Sequence, residues 1–404
     1  MGSTRIMKQP ELAVLVSTFQ RPAHLRRVLA SIAAQRGVSG AFEVVVTDDG
    51  SCDETPEVVR QFAATVDFPV RLTSHRHAGF QLARCRNEGV MASSAPYLLF
   101  LDGDCLIPPD HLRVHLERRC AGFALAAYCI NLAKDATERL TVADVETGRF
   151  RDLPPWHKRL ELRYRHLRAQ FYALVRDRKR PKLPGGNIGI SRTDYERVNG
   201  YDENFRGWGC EDDDLRLRLR AAGVRVASIS SDTNTFHMWH PKSPSAPNQW
   251  RDGTNVHYLK RPVRLTRCLA GLTKRSLAEI QTRLLGDAGA RELAELWLPR
   301  WCCEAAARCN TGSETEIEFA FAGQGGEFSP ACACRVLIVP PGQALSGRLT
   351  REATLIFAAR PSAGLPKKTA KKTLPLNLID DTFVEHLGFR EPAQSLSCQV
   401  LQFA

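Results

Sequence analysis

The strongest constraint on the fold is an alternation of short apolar runs with helical patterns between residues 11 and 102. Residues 22–36, 54–66 and 80–92 follow a helical pattern. The apolar runs between them are ELAVLVST (11–18), FEVVVTDD (42–49), VRLTSHR (70–76) and PYLLFLD (96–102). Repeated strand–helix–strand units predict an α/β fold with a Rossmann-like, mostly parallel sheet and helices on both faces.

The chain divides into three regions by pattern. Residues 1–260 hold the α/β repeats, residues 261–310 are predicted as a helical connector, and residues 311–404 as a small β-rich domain. Within the first region, residues 156–182 favour one long basic helix. Its charged face is either a solvated surface of the domain or a site of peripheral contact with an anionic membrane.

The balance of charge favours an anionic partner. A formal net charge of +12 is compatible with nucleic acid, phosphorylated small molecules or an acidic membrane surface. The basic residues are spread along the chain and no nucleic-acid motif is recognised, so we expect no nucleic acid as partner. Thirteen scattered cysteines indicate reduced thiols. No apolar run is long enough to span a bilayer, and we expect a cytoplasmic protein, either free or peripheral at the inner face of the cell membrane.

Acidic residues stand where the predicted strands end. Ligands of parallel α/β sheets bind outside the carboxyl ends of the strands, where Thr18, Asp49 and Asp102 are predicted to lie. Asp102 and Asp104 in FLDGDC are spaced to hold a hard divalent cation, although any acidic turn would match. Asp49 in TDDGS suits a base or ribose contact, or simply closes an Asx turn.

A second group of candidates lies between residues 183 and 250. The acids Glu211 to Asp214 open a predicted helix, where capping and the helix dipole explain two carboxylates but not four. A carboxylate kept for general-base catalysis would explain the excess. His237 and His240 are candidate ligands of a metal that carboxylates already hold, although a lone histidine is more often structural.

Seven motifs in order resemble the inverting glycosyltransferases of family 2, which have the nucleotide-diphospho-sugar fold called GT-A. They are Thr18 to Pro22, TDDGS, RNEG at 86–89, FLDGDC, PGGN, GWGCEDDD and HMWH. The part from Gly185 to Trp250 is also similar to β-1,4-galactosyltransferases and chondroitin-polymerase-type enzymes. The resemblance covers residues 11–255. Cys210 stands where the galactosyltransferases usually carry glycine.

The resemblance implies a role for each site residue. Asp212 would be the catalytic base, with Glu211 beside it; Asp104 and His240, preferred over His237, would bind Mn2+ or Mg2+. The implied nucleotide-binding residues are Thr18, Phe19, Arg21, Asp49, Arg86 and Asp102. The implied donor-sugar and acceptor residues are Gly186, Asn187, Trp208 and Asp213.

The resemblance also implies an activity. The expected enzyme moves a hexose from a UDP-sugar to a hydroxyl of a glycan or lipid-linked glycan, in bacterial surface polysaccharide synthesis. The alternative is a non-catalytic sugar-nucleotide or glycan binding module on the same fold. The residues do not distinguish galactose, N-acetylgalactosamine, glucose and glucuronate as the donor sugar.

Overall fold

The computed structural model describes residues 9–38, 41–177, 180–243, 246–302, 315–330, 332, 334–345, 347–359, 367–379, 381–387 and 398–403. The chain forms two compact units. The first is Met1–Asn255 together with Gln394–Ala404, and the second is Val256–Ala393.

An eight-stranded sheet forms the centre of the first unit. Its strands are β1 (Leu12–Thr18), β2 (Phe42–Asp48), β3 (Val70–Ser74), β4 (Tyr97–Asp102), β6 (Phe123–Ala126), β8 (Asn187–Ser191), β9 (Arg225–Ser228) and the last strand of the chain, Gln399–Phe403. The order is last strand, β3, β2, β1, β4, β8, β6, β9. β8 is antiparallel to β4 and β6, and the last strand is antiparallel to β3. The other pairs are parallel, which confirms the predicted α/β sheet.

The central strands are buried along their whole length because helices cover both faces of the sheet. Every residue of β1 and of β2 is buried, which explains their unbroken apolar character. α1 (Pro22–Ala33), α2 (Thr55–Ala63) and α3 (Leu82–Ala92) connect these strands. α1 and α2 each carry a proline in the first turn, where a missing N–H costs nothing.

The remaining elements up to residue 259 surround this sheet. A second, three-stranded sheet joins β5 (Cys105–Leu106), β10 (Thr235–His237) and β7 (Cys129–Asn131). The helices are α4 (His111–Arg118), α5 (Lys134–Arg139), α6 (Val142–Glu146), α7 (Trp156–Leu174), α8 (Arg192–Arg197), α9 (Glu211–Ala221) and α10 (Thr254–Leu259). Short 3-10 turns cover Arg149–Asp152 and Trp250–Asp252. α7 occupies the first part of the predicted basic helix.

The second unit contains a five-stranded parallel sheet in chain order. Its strands are β11 (Thr282–Leu285), β12 (Ile317–Phe321), β13 (Cys334–Val339), β14 (Leu355–Ala358) and β15 (Thr373–Pro375). Its helices are α11 (Ala288–Trp297), α12 (Gly347–Glu352), α13 (Lys367–Ala370) and α14 (Asp381–Leu387), with 3-10 turns at Leu277–Glu279 and Leu376–Leu378. Phe319, Val336 and Phe357 lie in its core.

The unit boundaries differ from those read from the sequence. The predicted helical connector contains β11, because the four residues Thr282–Leu285 are too few for periodicity to distinguish a strand from a helix. The last predicted strand of the β-rich domain pairs with β3 of the first unit, a long-range contact that local pattern does not encode. Residues 303–310 of that connector, and residues 311–314 and 360–366 of the β-rich region, lie outside the described residues.

Two observations concern the environment of the chain. Across the described segments, no helix has the length and apolar character that crossing a membrane requires. The cysteines that the structure describes are free thiols, as their scattered spacing predicted.

Candidate active site

The carboxyl ends of the central strands meet at one edge of the main sheet. Thr18 pairs with Asp48 across β1 and β2, and Ser17 pairs with Asp102 across β1 and β4. The chain turns tightly after β4, where the Gly103 N–H donates to the Ser17 carbonyl at 2.7 Å. This register places the acids of TDDGS and FLDGDC at the same edge, as expected for parallel strands.

Asp104 lies between two imidazoles and a guanidinium. β10 runs antiparallel to β5 with His237 opposite Cys105, which places His237 beside the preceding Asp104. The Nε2 atoms of His240 and His237 lie 3.1 and 3.5 Å from the two oxygens of Asp104. Arg21 Nη1 donates to Asp104 Oδ2 at 2.9 Å. The structure therefore brings both histidines, not His240 alone, to this carboxylate.

The Asp104 group has the donors and charge of a cation site. Burial alone would raise the pKa of Asp104, but the His240 hydrogen bond and the charges of His237, His240 and Arg21 lower it to about 2. The hydrogen bond to Asp104 raises the pKa of His240. One ligand atom each of Asp104, His237 and His240 lies within 4.8 Å of the others. The same spacing holds for Asp102, Asp104 and Cys105.

A buried arginine joins Asp102 to Asp212. Arg86 of α3 is 1% exposed, and its Nη1 donates to Asp212 Oδ1 at 2.7 Å. Its Nη2 donates to Asp102 Oδ1 and to the Gly185 carbonyl, each at 3.0 Å. The Tyr201 hydroxyl accepts from Arg86 and donates to Asp212 Oδ1 at 2.8 Å. The observed contacts of Arg86 are with these carboxylates, and its expected contact with a diphosphate stays a prediction.

Two glycines before β8 let the backbone pass close to these acids. A β-carbon on Gly185 would lie 2.3 Å from Asp212 Oδ2. A β-carbon on Gly186 would lie 3.0 Å from Asp102 Oδ2 and 3.2 Å from the Cys105 sulfur. Any larger residue at position 185 would displace the Asp212 carboxylate, so glycine is needed there for steric reasons.

The four acids that open α9 have separate surroundings. Asp214 forms a fully buried ion pair with Arg218, whose Nη1 also donates to the carbonyls of Val198 and Gly200. Asp213 lies 3.8 Å from Lys182 Nζ and 3.5 Å from Arg216 Nε. Asp214 therefore stabilises the fold, Asp213 lies between cations, and Asp212 and Glu211 face the site.

Glu211 is buried like Asp214, but Asp214 is paired with Arg218. Burial, and next to it the charge of Asp212, raises the pKa of Glu211 to about 8. A carboxyl of this pKa is protonated at neutral pH and donates a hydrogen bond. No hydrogen bond within the described part of the chain reaches its buried Oε2.

Asp49 is held by a buried histidine. Its Oδ1 lies 2.9 Å from His75 Nε2, and its Oδ2 accepts from the Gln81 N–H at 3.0 Å. His75 Nδ1 lies 2.7 Å from Glu88 Oε2. Burial lowers the pKa of His75, but the hydrogen bonds to Asp49 and Glu88 outweigh burial and raise it to about 9. Asp49 is thus fixed in place, and its expected contact with the nucleobase stays a prediction.

The other predicted residues lie around this edge. Phe19 stacks on His77 with ring centroids 4.2 Å apart, and the Thr18 side chain is buried. Asn187 is also buried, with its Oδ1 3.1 Å from His115 Nε2, so the Asn187 carboxamide packs in the interior. Trp208 is 43% exposed.

The loop around Trp208 has left-handed backbone on both sides. Gly207 and Gly209 have φ of 83° and 89°, and Asn255 Nδ2 donates to both of their carbonyls. Cys210 follows with φ of 76°, a region that favours glycine. The conformation explains why glycine suits this position in the galactosyltransferase pattern.

Two residues that contribute contacts to the candidate site, Tyr201 and His75, belong to no motif of the sequence. Tyr201 is a single aromatic residue in a loop, and Asn87 Nδ2 fixes it by donating to its carbonyl at 2.9 Å. His75 follows a strand without any motif. The RNEG segment held an indirect signal for both, since Asn87 contacts Tyr201 and Glu88 contacts His75.

Comparisons with known proteins agree with this geometry. Residues 13–197 match the family described as glycosyl transferase family 2, and residues 165–242 match the family described as N-terminal domain of galactosyltransferase. Validoxylamine A glucosyltransferase of Streptomyces hygroscopicus subsp. limoneus is 32% identical over 59% of this chain and 53% of its own length. Chondroitin synthase of Escherichia coli is 22% identical over 59% of this chain and 36% of its own length. This chain thus spans about half the length of the first relative and about a third of the length of the second.

One solved structure has low overall similarity to this chain. The mannosyltransferase PcManGT from Pyrobaculum calidifontis, in complex with GDP-Man and Mn2+, has a TM-score of 0.40 and 17% identity, over 63% of this chain and 62% of its own. The two sequence matches carry the assignment. Residues 13–197 therefore form a family 2 glycosyltransferase domain, and residues 165–242 are of the galactosyltransferase type.

Proposed function

We propose that the first unit catalyses metal-dependent transfer, with inversion, of a hexose from a UDP-sugar to a hydroxyl of a glycan or lipid-linked glycan. One observation carries the proposal. Asp102 accepts from Arg86, which also binds Asp212, and a carboxylate oxygen of Asp102 lies within 4.8 Å of one of Asp104, the residue that contacts the two imidazoles. The reaction needs a cation that stabilises the leaving group and a base that takes the proton of the acceptor, and this arrangement offers residues for both.

The residues around Asp104 fit a divalent cation. A carboxylate with two imidazoles suits a transition ion such as Mn2+ better than Mg2+, which prefers oxygen ligands in octahedral geometry. Asp104, His237 and His240 would hold the ion, and Asp102 is close enough to assist. When bound, the ion supplies positive charge that stabilises the diphosphate leaving group.

Asp212 is proposed as the general base. Arg86 and Tyr201 both bind its Oδ1, which fixes the carboxylate and leaves Oδ2 beside Gly185 to accept a proton. As the acceptor oxygen bonds to the anomeric carbon, its proton moves to Asp212 Oδ2 and the bond from that carbon to the diphosphate oxygen breaks. Attack on the face opposite the leaving group inverts the anomeric configuration.

Glu211 is proposed to bind a sugar hydroxyl. Its carboxyl is protonated at neutral pH and one of its oxygens is buried without a hydrogen bond from the described protein groups. A hydroxyl at that oxygen would satisfy it and orient the ring relative to Asp212. Phe19 with His77, Thr18 and Asp49 are proposed to bind the nucleoside, and Gly186, Trp208 and Asp213 to line the sugar and acceptor cleft. The buried Asn187 is proposed to position that cleft.

The names of two relatives support particular substrates within this proposal. The name validoxylamine A glucosyltransferase favours glucose as the sugar, and chondroitin synthase favours a glycan acceptor in polysaccharide synthesis. The donor screen therefore starts with UDP-glucose and includes UDP-galactose, UDP-N-acetylgalactosamine and UDP-glucuronate.

Release of UDP from each donor with Mn2+ tests the proposal. We expect release from at least one donor, its loss on addition of EDTA, and faster release when a glycan acceptor is present. UDP-sugar binding by calorimetry without release from any donor, with or without acceptors, would instead identify a sugar-nucleotide binding module.

A further inference from the structure

α7 carries an exposed apolar stripe. Six side chains spaced three or four residues apart project from one face of this helix, and each residue is between 50% and 81% exposed. They are Trp156, Leu160, Tyr164, Leu167, Phe171 and Leu174. Single exposed apolar residues are ordinary on protein surfaces, but a continuous row of six indicates a binding surface.

The opposite face of α7 is the one that packs on the domain. Leu162, His166 and Ala169 are buried there, and His166 Nδ1 lies 3.0 Å from Ser228 Oγ of β9. Rotating the helix to bury the stripe would expose this face and break that hydrogen bond. The stripe therefore needs a partner other than the domain that carries the helix.

Basic residues line both edges of the stripe. An α-helix turns about 100° per residue, so neighbours of stripe residues lie along its edges. Arg159 and Arg163 follow one edge and Arg168 the other, and all three are exposed. α7 contains five basic residues, Lys158, Arg159, Arg163, Arg165 and Arg168, against the single acid Glu161. That acid already pairs with Lys158 and Arg165.

We propose that α7 docks in the plane of an anionic lipid membrane. An apolar face with tryptophan, leucine and phenylalanine between rows of arginine is typical of helices that lie in the headgroup region. Trp156 and Tyr164 suit the boundary between acyl chains and headgroups. A second copy of this chain is the less favourable partner, because two such helices would bring like charges together along the stripe.

Sedimentation of the full chain with vesicles tests this inference. We expect binding to phosphatidylcholine vesicles that contain phosphatidylglycerol, and much weaker binding to phosphatidylcholine alone. Arg163→Glu should weaken binding by more than about fivefold, the effect of one basic residue near an anionic surface. Leu160→Ser with Leu167→Ser should weaken it by about tenfold or more, since two exposed side chains lose their lipid contact.

Matched variants distinguish the contribution of α7 to vesicle binding from effects of net charge or of unfolding. Arg36→Glu makes the same charge change at an exposed residue outside α7 and should leave vesicle binding nearly unchanged. An emission shift of tryptophan toward blue on vesicle binding should disappear in Trp156→Phe while binding persists. Both stripe substitutions replace exposed residues, so thermal unfolding should match the parent chain.

Two results would overturn the inference. Equal binding by the parent chain and the Leu160→Ser, Leu167→Ser variant would show that the stripe does not contact lipid. A parent chain that is dimeric in solution, with a monomeric stripe variant and no vesicle binding by either, would assign the stripe to a second copy. None of these measurements needs a sugar donor, so failure of the proposed transferase activity would leave this inference standing.

Discussion

Arg86 Nη1 lies 2.7 Å from Asp212 Oδ1, although the two residues belong to helices far apart in the chain. Because this arginine is fully buried, its charge requires the carboxylates that it contacts. The contact explains how the proposed base at the start of α9 and the acids after β4 keep a fixed relative position. Asp212 is therefore the first residue to substitute.

Asp212→Asn tests the base. We expect UDP release in the presence of acceptor to fall by about 100-fold to 10,000-fold, because the amide accepts no proton in the transition state. Asp135→Asn is the matched control, since Asp135 is an exposed carboxylate of α5 that pairs with Arg139 and lies outside the candidate site. Nearly equal rates for Asp212→Asn and the parent chain would contradict the assignment. Calorimetry with UDP should show that donor binding survives in both variants.

Removal of the proposed metal ligands should weaken Mn2+ binding. Loss of a group that merely orients a ligand costs about tenfold to 100-fold in metal affinity, so His237→Ala and His240→Ala should each cost at least about tenfold. His24→Ala is the matched control, because its ring lies 6.4 Å from that of His240 and His24 is outside the Asp104 group. Calorimetric titration with Mn2+ in the absence of donor measures the effect. Unchanged affinity in both ligand variants would show that the ion binds elsewhere.

Glu211→Gln should change how stability depends on pH. The pKa of Glu211 is about 8 in the fold against an ordinary 4.5, so the folded chain keeps a proton that the unfolded chain releases within this window. The free energy of unfolding contributed by Glu211 therefore falls as pH rises from 4.5 to 8. Glutamine stays neutral, and by pH 8 the variant should gain up to about 5 kcal/mol over the parent, at about 1.4 kcal/mol per pKa unit.

Urea denaturation at a series of pH values measures this difference. Glu138→Gln, which changes an exposed glutamate of α5, should follow the parent curve. If the Glu211→Gln and parent curves stay parallel throughout, Glu211 is ionised in the fold and the proposed hydrogen bond to a sugar hydroxyl loses its donor.

Gly185→Ala tests the steric fit beside the base. The new methyl group would lie 2.3 Å from Asp212 Oδ2, so the carboxylate must move, and we expect kcat to fall at least about tenfold. Gly186→Ala approaches Asp102 less closely, at 3.0 Å, and should lose less. Crowding of this kind typically costs about 1–3 kcal/mol of stability, which thermal unfolding measures. A larger loss of kcat in Gly186→Ala than in Gly185→Ala would contradict this order.

The positions of the acids at the strand ends were predictable from the sequence. Strand periodicity and parallel pairing place Asp49, Asp102 and Asp104 at one edge without any structure, because such edges are fixed by the pattern of apolar residues. The excess of acids at Glu211 to Asp214 likewise pointed to a site. Of these four, the sequence could not show that Asp214 belongs to Arg218, since that pair depends on how α9 packs.

Contacts between distant residues were not predictable. The pairing of Arg86 with Asp212 and the pairing of His75 with Asp49 depend on side chains that meet only after the sheet has formed. The approach of His237 to Asp104 depends on the register of β10 with β5. Local spacing contains no information about these registers.

The last strand of the chain, Gln399–Phe403, completes the main sheet beside β3, although residues 256–393 form the other unit. On the ribosome, the β3 edge therefore stays unpaired until residues 399–403 have been synthesised. An unpaired strand edge is a template for wrong association, so nascent chains should be most prone to aggregate in that interval. The second unit must therefore be synthesised before the main sheet of the first unit can be completed.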